Sequence, residues 1–267
     1  SSTSRGLGDV YKRQDWNSVK ANALAVNMSK LYNINYVPGI EIGAEYKGRR
    51  VRVLGYFIDY KNDIFTTIEN NGLVNERNAS LERVRRFEKI LGVQIPVERL
   101  LHTNRFQRIS GRLLVRHVLN SSLYDECEVL KPYRKMEMNK AVEILYQEYF
   151  AYGKPCYVMM KCPPLQDVLD VISLTNGVAV LADGADFLHD EELMKDILSH
   201  GIEGIEVFQS AYNKKQMADL LRYAQRDKLL ITCGSGFTSR KQGNELGDCH
   251  CPEEAESLII SLIRAKM

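Results

Sequence analysis

From residue 15 onward the chain switches between helical and strand periods. Asn17–Tyr32 places Val19, Ala23, Val26, Met28 and Leu31 at helical spacing, which predicts an amphipathic helix. Tyr36–Ile42 reads as a short buried strand, Glu45–Gly48 as a turn, and the β-branched run Val51–Ile58 as a second strand. The stretch 62–153 has a different character. It is rich in charged helix formers, Asn78–Leu91 carries Leu81, Val84, Phe87, Ile90 and Leu91, and Glu137–Phe150 repeats the pattern. Gly92 and Pro96 punctuate it. This stretch predicts a helical insert able to overhang a site as lids do; the plainer reading is an extension of the main core.

After Pro155 the strand and helix rhythm returns. Val158–Met160 reads as a strand and Pro164–Leu174 as a helix with Leu165, Val168, Val171 and Ile172 on one face. Gly177–Ala182 is a continuous apolar run, as a strand buried on both faces requires. Glu191–Ser199, Lys214–Arg226 and Glu253–Lys266 read as helices, with Gly204–Phe208 and Leu229–Cys233 as strands between them. Such alternation predicts an α/β sheet or barrel.

Composition adds exclusions. Hydrophobic residues make up 45% and charged residues 26%, a globular balance. The net charge of +2 gives no bulk attraction to nucleic acid or membranes, and no apolar run reaches the ~20 residues of a membrane helix. Six cysteines in 267 residues are too few for a disulfide scaffold and read as the reduced thiols of a cytoplasmic protein. Ser1–Gln14 shows no strand or helix period and no signal-peptide core. It resembles translated adapter sequence from assembled metagenomic reads and is set aside as a non-native leader; a disordered tail is the other reading.

Active groups of an α/β sheet or barrel sit at the C-terminal ends of its strands. There the chain resembles the PHP (polymerase and histidinol phosphatase) family, from Asp15 to the C-terminus. Val37–Ile42 (VPGIEI) resembles the family's PGIE strand, and Gly48–Tyr56 (GRRVRVLGY) its G-x-x-V-H-I-L-G-Y strand. Gly111-Arg112 resembles G-R-P-H, Gly177–Asp183 resembles G-V-A-V-L-A-H, Gly204–Phe208 resembles G-I-E-V-Y, and Cys233–Ser239 resembles G-G-S-D-F-H-G. No single motif decides; six in order do. The resemblance implies a distorted seven-stranded, TIM-like β/α barrel over 15–61 and 154–267, with its first strand missing and the helical insert at 62–153. It also implies phosphoesterase chemistry on nucleoside bisphosphates or short RNA, driven by a divalent cluster (Mn, Mg, Zn or Fe) held by His, Asp and Glu.

The ligand positions depart from that pattern. The His-x-His of the family's first strand has no counterpart. Where the family reads T-D-H-D-T, this chain has Gln14-Asp15-Trp16-Asn17-Ser18, which keeps the Asp and replaces the His by Trp16. Glu41 is retained. The next His is Arg52, the A-H His is Asp183, and the last Asp and His are Gly236 and Thr238. In the insert Arg112 stands, but the following His position is Leu114. Indole and glycine offer a metal nothing, and a guanidinium repels it. The expectation is therefore a non-catalytic copy without a metal cofactor, in which Arg52 pairs with Glu41 or Asp183. The alternative is an active phosphoesterase with an altered set, in which Asp15, Glu41 and Asp183 hold one Mg²⁺-like ion through oxygens. Arg112 and Arg52 are the candidates for gripping a phosphorylated small molecule or nucleotide; as a plain alternative, Arg112 is a solvated helix arginine. A pure interaction scaffold has no positive signal.

Other candidates are weaker. Cys249-His250-Cys251 reads as a loop with two thiols, since adjacent residues rarely face one ion. His102, His117, His189 and His200 match no family ligand and read as packing or surface residues. No G-x-S-x-G or phosphate-binding glycine loop is present.

Overall fold

The computed structural model describes residues 10–13, 17–102, 108–236, 247–255 and 257–259. In chain order its main elements are β1 (Val10–Arg13), α1 (Lys20–Leu31), β2 (Asn35–Tyr46), β3 (Arg49–Tyr56), α2 (Ile64–Leu91), α3 (Val97–His102), α4 (Gly111–Asn120), α5 (Lys131–Arg134), α6 (Met138–Tyr149), α7 (Leu165–Leu174), β4 (Val178–Leu181), α8 (Glu191–Ser199), β5 (Gly204–Gln209), α9 (Lys214–Arg226) and β6 (Leu230–Gly234). They form two compact units, Ser1–Ile68 with Cys162–Met267, and Glu69–Lys161.

The first unit is a mixed α/β structure. Its strands hydrogen-bond in the order β1 to β6. β3 is antiparallel to both of its neighbours, and the other pairings are parallel. The β2–β3 hairpin closes through Lys47 and Gly48, both at positive φ, the turn whose twist matches the strands it joins. One face of the sheet packs on α7, α8 and α9 through Ile42, Val53, Leu181, Ile205, Leu169, Ile197 and Leu220. The other face carries a smaller cluster, Val37, Leu54, Tyr56, Val178, Val180 and Ala182. β4 is buried along its whole length because its residues alternate between the two. Asn22 clips α1 to β2: its amide donates to the Gly39 carbonyl at 3.0 Å and accepts from the Gly39 N–H at 3.0 Å and the Tyr36 hydroxyl at 2.8 Å.

The second unit is helical. Val84 and Phe87 of α2, Leu114 and Val118 of α4, and Val142 and Leu145 of α6 fill its core. Ser110 caps α4 and Glu137 caps α6, each accepting backbone N–H groups that the first turn leaves unpaired.

Several expectations change. Ser1–Gln14, read as strandless, contributes β1, whose Val10–Arg13 pairs with Asn35–Pro38. An open strand edge accepts an extended partner, and Val10 and Tyr11 favour that conformation. Val158–Met160 is no strand, because no neighbouring strand pairs with it. The Glu45 N–H instead meets the Pro163 carbonyl at 2.8 Å. β3 ends at Tyr56, short of Ile58, where Phe57 turns to positive φ. Among the described residues the sheet has six strands in open order, with no ladder joining β6 to β1, where a distorted seven-stranded barrel lacking its first strand was expected. The closing helix over Glu253–Lys266 is described only as a short turn at Glu253–Ala255 and three helical residues beyond it. No described helix is long and apolar enough to cross a membrane.

Candidate functional site at the strand ends

β2, β4, β5 and β6 share one direction and β3 opposes them. The start of β3 therefore lies beside the C-terminal halves of β2 and β4. Alternation then sorts the side chains. Ile40, Ile42, Val51, Val53, Ile205, Val207 and Ile231 belong to the main core. Glu41, Arg52, Glu206 and Thr232, interleaved between them, take the opposite face.

Arg52 is the centre. Gly43 stands opposite it in the β2 register, with no side chain to obstruct, and Glu41 is its diagonal neighbour. Arg52 Nη1 donates to Glu41 Oε1 at 2.9 Å. Its Nε and Nη2 donate to the two oxygens of Asp183, a bidentate fork. The Ala182 N–H donates to the Arg52 carbonyl at 2.9 Å, which fixes Asp183 at the adjoining position. Asp183 adopts φ 51°, a left-handed conformation that Asp tolerates better than most side chains. Burial opposes the charge on Arg52. The hydrogen bonds and charge of Asp183, then of Glu41, outweigh it and hold the Arg52 pKa above its ordinary value.

Glu206 lies deeper and is 5% exposed. Gln209 Nε2 donates to its Oε2 at 2.7 Å. Burial pushes its pKa up to about 7, the Gln209 bond pulls it back, and Asp183 and Glu41 add to the rise while Arg52 opposes it. Gly234 of β6 leaves the space this carboxyl occupies: a Cβ there would collide with Glu206 Oε1. Asp186, just past β4, is also raised, by burial and then by Asp183. Among the described residues, the Thr232 hydroxyl, on the register partner of Glu206, is buried without a hydrogen-bond partner.

Of the residues singled out from sequence, Arg52, Glu41 and Asp183 come together. Gly236 sits past β6 at positive φ, and a Cβ there would lie 3.7 Å from Ser210 Oγ. Asp15, Trp16 and Thr238 lie outside the described residues. Arg112 belongs to the helical unit. It donates to Glu143 at 3.1 and 3.0 Å and lies 3.8 Å over the Tyr146 ring, with about half its side chain exposed. Leu114 is core of that unit. His200 and His117 contact the rings of Tyr46 and Tyr124. Glu206, Asp186 and Gln209 were not foreseen as site residues. The available signal was Glu206 itself, one acid inside an otherwise apolar strand.

A divalent ion wants about four or more donors. Here Glu41 and Asp183 are both spent on a guanidinium, and among the described residues no group of three or more His, Cys, Asp or Glu is arranged to hold an ion.

No family model matches the chain. It is 26% identical over 215 residues to a phosphoribosyl 1,2-cyclic phosphate 1,2-diphosphodiesterase of Eggerthella lenta, covering 80% of this chain and 76% of that protein. Identity is 23% over 218 residues to a 3′,5′-nucleoside bisphosphate phosphatase of Chromobacterium violaceum, over 79% and 70% of the two chains. The 5′-3′ exoribonuclease Rnm of Escherichia coli is 23% identical over 221 residues, or 80% and 69%. Among solved structures, a protein of Bifidobacterium adolescentis assigned provisionally as a metal-dependent phosphoesterase superposes with a TM-score of 0.65 at 18% identity, covering 96% of this chain and 86% of that one. An amidohydrolase of Chromobacterium violaceum, solved with sulfate and no metal, gives 0.64 at 21% identity, over 93% and 85%. In sequence the chain is similar to known phosphoesterases, and its fold matches that of the solved structures.

Proposed function

We propose that this chain keeps the phosphoesterase scaffold without the hydrolytic centre and binds a phosphorylated ligand without turning it over. The observation that carries this reading is Arg52, seated between Glu41 and Asp183 where the family motif has a histidine. A permanently protonated guanidinium offsets one of the two carboxylate charges and occupies the oxygens a cation would need, so no metal-bound hydroxide forms there. Arg52 engages those carboxylates with three of its N–H groups. A guanidinium has about five, so a phosphate oxygen finds donors left over. The relatives supply the ligand class, phosphorylated small molecules and nucleotides.

The test is hydrolysis of a nucleoside 3′,5′-bisphosphate with Mn²⁺ or Mg²⁺, together with elemental analysis. The expected result is no turnover above buffer and no stoichiometric metal; turnover would overturn the reading. Calorimetry with the same bisphosphate is expected to show binding that Arg52→Ala abolishes, and Arg112→Ala reports whether the second arginine contributes.

The second reading is an active phosphoesterase with a rebuilt ligand set, favoured by the gathering of Glu41, Asp183, Asp186 and Glu206 at one sheet end. Arg52→His separates the two. If the guanidinium is what keeps metal out, the variant gains Mn²⁺ binding that the parent lacks; equal Mn²⁺ binding by both favours the rebuilt site.

A further inference from the structure

The helical unit holds a cleft that neither the Arg52 cluster nor the phosphoesterase reading uses. Leu81, Val84, Arg85 and Glu88 recur at helical spacing, so one stripe of α2 forms the first wall. The chain leaves α2 at Leu91, turns at Gly92 with φ 69°, and faces that stripe with Ile95, Pro96 and Val97. One hydrogen bond pins the two walls together: the Ile95 N–H donates to Glu88 Oε1 at 2.7 Å. Val84 and Ile95 are buried and make the floor. The cleft has a volume of about 410 Å³, inside the usual range of small-molecule sites, roughly 300–1,000 Å³.

Two arginines stand on the lining, one from each wall, and both are exposed. Arg85 has Glu82 only at 4.0 Å, while Arg86 takes that carboxylate at 2.8 Å. Arg99 has no carboxylate partner among the described residues. The lining also carries two acids. Glu88 is engaged by the Ile95 N–H. Glu98 is exposed in the first turn of α3.

We propose that this cleft binds a small organic carboxylate with an apolar body. The body lies against Val84 and Ile95, and covering them further from water favours it. The carboxylate offers two oxygens, the geometry that a guanidinium fork matches, and Arg85 and Arg99 have forks to give. Glu88 and Glu98 set the charge of the ligand. A second negative charge would meet both carboxylates at close range, so a monoanion fits and a phosphate monoester is the poorer guest. That separates this cleft from the strand-end site, whose proposed ligand is phosphorylated. The two readings stand or fall independently.

The test titrates benzoate into the full chain and follows its methyl signals by nuclear magnetic resonance. Those of Leu81, Val84, Ile95 and Val97 are expected to shift and saturate, with a dissociation constant of about 1 mM for so small a ligand. Benzamide, the uncharged isostere, is expected to bind at least about tenfold more weakly, and Arg99→Gln to weaken benzoate by about the same factor, because a hydrogen bond to a charged group is lost in each case. Glu98→Gln removes a like charge from the rim and is expected to tighten benzoate about twofold. Absence of a saturable shift, equal affinity for benzoate and benzamide, tighter binding of phenyl phosphate than of benzoate in this cleft, or shifts confined to the strand unit would each overturn the proposal. The benzoate and benzamide titrations of the unaltered chain decide it even if a variant fails to fold.

Discussion

Arg52 and Arg112 make the same bond in two settings. Each offers a fork to a carboxylate, Arg52 to Asp183 and Arg112 to Glu143. Arg52 rises from a strand interior, its side chain 33% exposed, and serves a second carboxylate, Glu41. Arg112 stands on a helix surface, 53% exposed, with one carboxylate partner and a tyrosine ring beneath it. The sheet end is organised by charge on a face where apolar packing thins out. The helical unit is organised by its apolar core, and its Arg112–Glu143 pair lies on the outside. Geometry alone does not rank the two arginines; how far water screens each pair does.

Four measurements can break or sharpen this contrast. The largest effect belongs to the helical core. Phe87→Ala removes a fully buried ring packed edge-on against Phe150 and is expected to destabilise by about 3–5 kcal/mol, read from the denaturant midpoint. A loss near zero would mean that the helical unit does not depend on its packing.

Next is the buried acid. Glu206 is raised from 4.5 to about 7, so the native chain holds a proton that the unfolded chain has released. Stability from this group is fully present below about pH 4.5 and falls as pH rises through 7, by about 3 kcal/mol in all. Glu206→Gln is expected to flatten that slope in denaturant melts across the window. An unchanged slope would place the titration elsewhere.

Third, Arg52→Ala leaves Glu41 and Asp183 facing each other without a counter-ion. The expected loss is about 2 kcal/mol, below the roughly 3–5 of a fully buried pair because water reaches this one. Smallest is Arg112→Ala, expected below about 1 kcal/mol and sensitive to salt. If Arg112→Ala cost more than Arg52→Ala, the comparison would be reversed.

What the sequence disclosed was the local part. The apolar run Gly177–Ala182 foretold β4, because a strand covered on both faces must be apolar throughout. α9 was legible from its strong apolar stripe, and it runs between the same residues, Lys214 and Arg226. The start of α2 at Ile64 was not, since its first turns carry no helical apolar stripe as clear as that of Asn78–Leu91. Motif order brought out Glu41, Arg52 and Asp183. It gave no account of their joining, because Arg52 and Asp183 are 131 positions apart and only the β3–β4 pairing brings them together. Glu206 was visible as a charge. Its burial was not, because that depends on Gly234 leaving room in a different strand.

The reversed strand has one more implication. Arg52 pairs with Gly43 in the ladder to β2, and its carbonyl accepts the Ala182 N–H on the other side, so it sits on stiff backbone. Asp183 is beyond the last rung of β4, on a backbone angle that few residues choose. Anything that pries the pair open, such as an incoming anion, will displace the aspartate and leave the arginine standing. The guanidinium is the post of this gate and the carboxylate is its hinge.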